Sequence, residues 1–326
     1  MSFSEKVRVA ILRGGPSSEY EVSLKTGATV LANLPQEYHP LDVFIDVEGN
    51  WHLSGRREEP HKILNKVDVV WNALHGEYGE DGGVQHLLEA HGTPFSGPRR
   101  LGAAISLNKS LAKKIVQKAG VKTPHYRLFR GEEISSLEAV ATELYRTFPQ
   151  PSIIKPAAKG SSIGVSLART QQELLDALTA AFSISDSVLV EEFIQGKEAF
   201  CGVIDDFRGA KHYALLPVEI GLPDGAAFFD YQARHREEVM HRCPGNFTPT
   251  EKEELQSTAI QVHNVLDLRH YSGSGFIVHP KRGIFFTEVD SLPDLHPQRS
   301  PFLQSLCSVG IAIPSFLEHV LTLART

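Results

Sequence analysis

A buried-strand pattern that breaks at glycines and resumes as a helix constrains this chain most. Val7–Leu12 is a strongly apolar run, interrupted only by Arg8, that leads into Gly14-Gly15. Ser23–Leu34 follows, with Leu24, Ala28 and Leu31 at helical spacing. The pattern recurs. Leu41–Val47 reads as a second strand closed by Glu48-Gly49-Asn50, and Val67–Leu74 as a third, followed by a helix from Gly82 to Ala90. Strand–loop–helix repetition predicts a parallel sheet with helices on its faces. Thr93-Pro94 to Pro98 then punctuates the chain and marks a boundary near Pro98.

Beyond that boundary the spacing predicts helices over Ser106–Lys118 and Thr170–Ala181, the latter with Thr170 and Glu173 in a capping-box pattern. Strands are predicted at Ser152–Lys155, from Val188, at Ala199–Ile204, at Ala214–Ile220, at Gly275–Val278 and at Ile284–Val289. Helices over Thr250–Leu266 and Pro314–Leu323 complete the reading. The chain has 326 residues, enough for two or three domains. Asp224–Asn246, rich in charge, Gly and Pro, reads as a long functional loop.

Composition narrows the function classes. With 33 basic against 39 acidic residues the net charge is −6, a poor balance for non-specific nucleic-acid or membrane-surface binding. No apolar run reaches the ~18 residues that span a bilayer. Three cysteines without C-x-x-C spacing point to a reducing compartment and away from a cysteine zinc site. A cytoplasmic chain is the expectation.

Five segments carry candidate chemistry. Gly14-Gly15-Pro16-Ser17-Ser18-Glu19 lies between a strand and a helix, where small residues and a helix N-terminus suit an anion and Glu19 suits an amine. A plain capped turn is the other reading. His75-Gly76-Glu77-Tyr78-Gly79-Glu80-Asp81-Gly82 places an imidazole among carboxylates, without the second histidine of an H-E-x-x-H zinc site. It fits an orienting or acid–base group, or a solvated acidic loop. Lys155 ends a strand, and Lys159-Gly160-Ser161-Ser162-Ile163-Gly164 is a loop whose N–H groups and lysine suit phosphate oxygens. No G-x-x-x-x-G-K-[ST] occurs. The loop matches G-x-S-x-G, but it starts too far beyond its strand for a nucleophile elbow. Val190–Ile194 and Glu198 suit an adenine and a ribose, or an ordinary strand edge. Glu288 and Asp290 share one strand face and suit one or two Mg²⁺ ions, or else solvent.

In order and spacing, the set resembles the D-alanine–D-alanine ligases of the ATP-grasp superfamily, over about Val7 to Leu323. The most specific matches are G-G-P-S-S-E-Y-E-V-S at Gly14–Ser23, L-H-G-E-Y-G-E-D-G at Leu74–Gly82 and I-K-P-A-A-K-G-S-S-I-G-V at Ile154–Val165. The resemblance implies a three-domain α/β (α+β) ATP-grasp fold: an N-terminal parallel-sheet domain at 1–98, a central subdomain at 99–190, and a C-terminal subdomain at 191–326 with a lid at 224–246. It implies ATP and D-alanine as substrates, Mg²⁺ or Mn²⁺ as the ion, a homodimer, and a role in building peptidoglycan precursors. By position, Glu19, Ser161 and His235 correspond to catalytic residues, and Glu19, Ser23, His75, Ser161 and Ser300 to substrate contacts. ATP falls to Lys109, Lys155, Lys159, Ser162, Glu191, Phe193, Ile194 and Glu198, and the metal to Glu288 and Asp290.

The chain departs from the family where chemistry is expected. Gly273 and Gly275 stand in place of an arginine and a metal-binding aspartate, Asp290 in place of an asparagine, and Asp294 in place of a glycine. Losing an oxyanion donor such as that arginine typically costs ~3–4 kcal/mol. His235 replaces a lid tyrosine and Arg234 a lysine; Lys281, Arg282 and Arg299 are candidate substitute cations. Three readings stay open at this level: a working ligase, a ligase with another second substrate such as D-lactate, and an ATP-binding relative with weakened ligation.

Overall fold

The computed structural model describes residues 6–158, 164–221 and 240–326. Lys159, Ser161, Ser162, Arg234 and His235, with most of the expected lid, lie outside them.

The first sheet forms around β1 (Val7–Gly14), whose residues Val9, Ala10, Ile11 and Leu12 are fully buried. A strand covered on both faces has no polar side, which is why its sequence does not alternate. β1 lies parallel to β2 (Tyr38–Ile45) and to β5 (Val69–Asn72). The short strands β3 (Trp51–Leu53) and β4 (Arg56–Arg57) add antiparallel at the edge, so the sheet is mixed. Its helices are α1 (Tyr20–Asn33), α2 (Pro60–Leu64) and α3 (Gly83–His91).

The predicted helix over Ser106–Lys118 is two helices, α4 (Arg100–Leu107) and α5 (Lys109–Lys118). Asn108 is extended (ψ 95°) and its side chain accepts from Leu111 N–H, ending one helix and capping the next. The second sheet has the order β6-β9-β7-β8, from β6 (Tyr126–Arg130), β7 (Ser152–Pro156), β8 (Ser166–Ala168) and β9 (Ser187–Glu192), all antiparallel. With α6 (Leu137–Thr147) and α7 (Gln171–Phe182) it closes its own core around Leu144, Ile154, Leu178 and Val190. Thr170 caps α7 as expected, but the Glu173 carboxylate accepts from the Arg169 N–H.

The third sheet runs β13-β12-β10-β14-β15, with β11 beside β10. It comprises β10 (Lys197–Phe207), β11 (Ala210–Ala214), β12 (Val218–Gly221), β13 (Met240–Arg242), β14 (Tyr271–His279) and β15 (Gly283–Asp290). The predicted strand over Ala214–Ile220 is thus split into β11 and β12 around Pro217, which has no N–H for a ladder. Alternation along β10 sorts two cores. Ala199, Cys201 and Val203 pack with α5 and α8 (Pro249–Val265). Phe200 and Ile204 face α9 (Pro301–Ser308) and α10 (Ile313–Ala324). That second core runs on through Val9, Ile11 and Trp71 of the first sheet, where Phe316 of α10 meets Trp71 edge-on. First and third sheets therefore share one apolar core, while the second has a separate one. Among the described residues no single helix is long and apolar enough to cross a membrane.

Candidate active site

The loops after β1 and β5 meet where α5 and the end of β15 converge. Gly14 and Gly15 have φ of +92° and +94°, and a Cβ on Gly14 would lie 2.2 Å from Ile45 O. Only glycine turns the chain there. The turn delivers Glu19, 7% exposed, to the head of α1. Ser17 and Ser18 hydroxyls donate to Glu77, tying the first motif to the second. Gly76 keeps that junction open, because a Cβ there would lie 2.8 Å from Glu19 Oε2.

His75 is buried, with Nε2 2.9 Å from Thr26 Oγ1. Burial pushes its pKa down to about 4, partly offset by a hydrogen bond with the Leu292 backbone, so the ring is neutral at pH 7. Glu80 accepts from Ser291 Oγ, Leu292 N–H and Gly76 N–H. Burial first, then the charges of Glu19 and Asp290, push its pKa up to about 8. Its carboxyl is therefore mostly protonated at neutral pH. Glu19, His75, Glu80, Lys109, Glu288 and Asp290 line a cavity of about 100 Å³, with Asp294 at its wall.

A second group faces the second sheet. β7 delivers Lys155 and β9 delivers Glu191, and Lys155 Nζ donates to Glu191 Oε2 at 3.0 Å. Lys113, fully buried on α5, lies 3.2 Å from Glu191 Oε1. Burial alone raises Glu191, but Lys113 and Lys155 outweigh it and hold the carboxyl below its ordinary value. Burial lowers Lys113 to about 8, which leaves it cationic at pH 7. Lys109 Nζ sits 3.7 Å from Glu288 Oε2 and links this group to the cavity. Sequence reading missed Lys113. Its signal was there: it follows Lys109 by four residues, on the same face of α5.

Not every expected residue reaches the cavity. The Ser23 hydroxyl donates to Ala73 O and accepts from Gly14 N–H, stitching β1 to the end of β5. The Ser300 hydroxyl caps α9 by accepting from Leu303 N–H and donates to Asp294 O. Neither lines the cavity. Phe193 donates its N–H to Pro151 O, Ile194 is buried, and Glu198 stands on β10 opposite Ile220.

The departures have structural correlates. In the β14–β15 ladder Gly273 faces Asp290 and Gly275 faces Glu288. A Cβ on Gly273 would lie 2.1 Å from the Phe200 ring, so the space an arginine would leave through is filled. At Gly275 the tightest neighbour is the Thr287 hydroxyl, at 2.9 Å. Arg282 is bound to Glu192 through two 3.0 Å hydrogen bonds at the far hairpin, and neither it nor Lys281 lines the cavity. Asp294 accepts from His296 N–H.

Comparison with known proteins points to the same family over nearly the whole chain. The family description "D-ala D-ala ligase N-terminus" matches residues 8–65 and 53–98, and "D-ala D-ala ligase C-terminus" matches 115–322. A D-alanine–D-alanine ligase of Carboxydothermus hydrogenoformans is 30% identical, covering 97% of this chain and 98% of that one. One from Geobacter sulfurreducens is 32% identical, covering 98% and 94%. Among solved structures, the VanG D-Ala:D-Ser ligase of Enterococcus faecalis superposes with a TM-score of 0.83 at 27% identity, covering 98% and 100%. A D-alanine–D-alanine ligase of Bacillus anthracis superposes at 0.79 with 28% identity, covering 98% and 97%.

Proposed function

The chain belongs to the D-alanine–D-alanine ligase family, and we propose that it joins two D-alanines with one ATP through an acyl phosphate. A carboxylate is a poor electrophile. An oxygen of the first D-alanine carboxylate takes the γ-phosphoryl group of ATP, and ADP leaves. The amine of the second D-alanine attacks the carbonyl carbon, the C–O bond to phosphate breaks, and the amine loses a proton. The protein's task is positioning and charge neutralisation.

The observation that carries this reading is one cavity bounded by Glu19 and His75 on one side and by Lys109 and Glu288 on the other. In that reading Glu19 holds the ammonium of the first D-alanine. Neutral His75 lies beside its carboxylate without repelling Lys109. Lys109 and Lys155 take ATP phosphate oxygens, and Lys113 braces Glu191. Glu191, Phe193 and Ile194 receive the adenine, and Glu198 the ribose. Glu288 and Asp290 offer hard oxygen donors on one face of β15 opposite two glycines, a donor set that fits Mg²⁺ or Mn²⁺. Bound there, the ion would neutralise phosphoryl charge. Ser161, Ser162, Lys159 and His235 take the roles that their motif positions imply, whereas Ser23 and Ser300 support the site only through the backbone they hold. The domain limits at 98 and 190, a homodimer and a cytoplasmic setting belong to the same proposal.

Incubation with ATP, Mg²⁺ and D-alanine tests it. D-alanyl-D-alanine by mass spectrometry, with stoichiometric phosphate, is expected. ATP turnover that yields a product only with D-serine or D-lactate would reassign the second substrate, and no turnover would refute the reading.

A further inference from the structure

Outside the cavity, one cluster has chemistry that the ligation does not use. Asp205 near the end of β10 faces His212 across the hairpin on β11, and His263 comes from the last turn of α8. Asp205 Oδ1 lies 2.8 Å from His212 Nδ1 and 3.0 Å from His263 Nε2. The three donor groups bring one ligand atom each within 4.8 Å of one another.

The histidine geometry is what points to a ligand. His263 is fully buried, yet its Nε2 has no hydrogen-bond partner among the described residues despite the 3.0 Å approach to Asp205. Its other ring nitrogen, Nδ1, is already engaged, which leaves Nε2 as the atom offered to a ligand. Outer contacts hold His263 and Asp205, while His212 Nε2 is buried without a hydrogen-bond partner among the described residues. His263 Nδ1 is 2.7 Å from Ser272 Oγ, the kind of partner that fixes a ligating imidazole. Asp205 Oδ2 accepts from His270 N–H, and the Asp205 carbonyl takes His319 Nε2.

Two imidazoles and a carboxylate suit zinc-type ions, whereas Mg²⁺ favours oxygen alone. We propose that Asp205, His212 and His263 bind one divalent transition-metal ion of the zinc class, with water completing the shell, and that it clamps the β10–β11 hairpin to α8. Tetrahedral ligation at ~2.0–2.2 Å sets donor separations of about 3.4 Å, so loading opens the present contacts by roughly half an ångström. None of the three residues lines the catalytic cavity, and the site does not depend on the ligase reading.

Calorimetric titration of the chelator-stripped full chain with ZnCl₂, in excess Mg²⁺, tests this directly. One Zn²⁺ per chain is expected, and Co²⁺ should give the intense visible bands of a low-coordinate site. His212→Ala, on the partly exposed hairpin, should weaken binding at least about tenfold, as should Ser272→Ala, which loses only the outer partner. Circular dichroism confirms that both variants fold. Zn²⁺ uptake equal in wild type and His212→Ala, or none in wild type, would overturn the proposal and leave the cluster a hydrogen-bonded brace.

Discussion

Glu191 and Glu80 are both buried glutamates on the borders of one reaction centre, and they are driven to opposite charge states. Glu191 sits between two lysines and stays ionised below its ordinary pKa. Glu80 sits near Glu19 and Asp290, takes hydrogen bonds from backbone and hydroxyl donors, has only the neutral His75 ring close by among the described residues, and holds its proton up to about pH 8. Burial opposes the charge of each, so the neighbours decide. The chain thus builds a cation-rich wall beside the second sheet and a carboxylate-rich wall beside the first. A triphosphate and an ammonium-bearing amino acid need that asymmetry.

Breaking the cation-rich side should cost most. Glu191→Gln leaves Lys113 buried without its counter-charge, and losing one partner of a buried pair costs about 3–5 kcal/mol. Urea unfolding should show that loss, together with weakened ADP binding. Lys109→Met removes the cation at the border of the two walls. Its kcat should fall by about 10²–10³-fold, the typical loss for one charge-stabilising donor, with the fold intact by circular dichroism.

The carboxylate side can be sharpened by restoring the family pattern. Gly273→Arg drives its Cβ into the Phe200 ring, and overpacking of that kind costs about 1–3 kcal/mol. The single variant should lower the melting temperature without raising turnover. Gly275→Asp, facing only the Thr287 hydroxyl at close range, should be milder.

The smallest effect is a slope. The folded chain keeps a proton on Glu80 between the ordinary carboxylate value of 4.5 and about 8, while the unfolded chain has lost it. Stability therefore falls as pH rises through that window. His75 acts oppositely: its folded value of about 4 lies below the ordinary 6.5, so its contribution is complete above pH 6.5 and fades on acidification. Between pH 6.5 and about 8 only the Glu80 decline remains of the two. Glu80→Gln should flatten it in unfolding titrations across that range.

What the sequence could disclose follows the same division. Residues on loops after buried strands were legible, because Gly14-Gly15 and His75-Gly76 mark where a strand stops. Glu288 and Asp290 were legible because a strand has period two. Lys113 reads as one more helical lysine, since its burial depends on α5 packing against β15 and on Glu191 reaching it from β9. The break at Asn108 hid inside a continuous helical pattern, and Pro217 split a strand that composition alone joined. Asp205, His212 and His263 are brought together only by a hairpin and a returning helix, which no short-range spacing encodes.

The acyl phosphate itself can be traced with D-alanine carrying heavy oxygen in its carboxylate, turned over with ATP and Mg²⁺, by mass spectrometry of the released phosphate. One labelled oxygen is expected in the phosphate for every dipeptide formed, because the bond that breaks in the acyl phosphate leaves the substrate's oxygen on phosphorus. Dipeptide accompanied by unlabelled phosphate would rule that intermediate out.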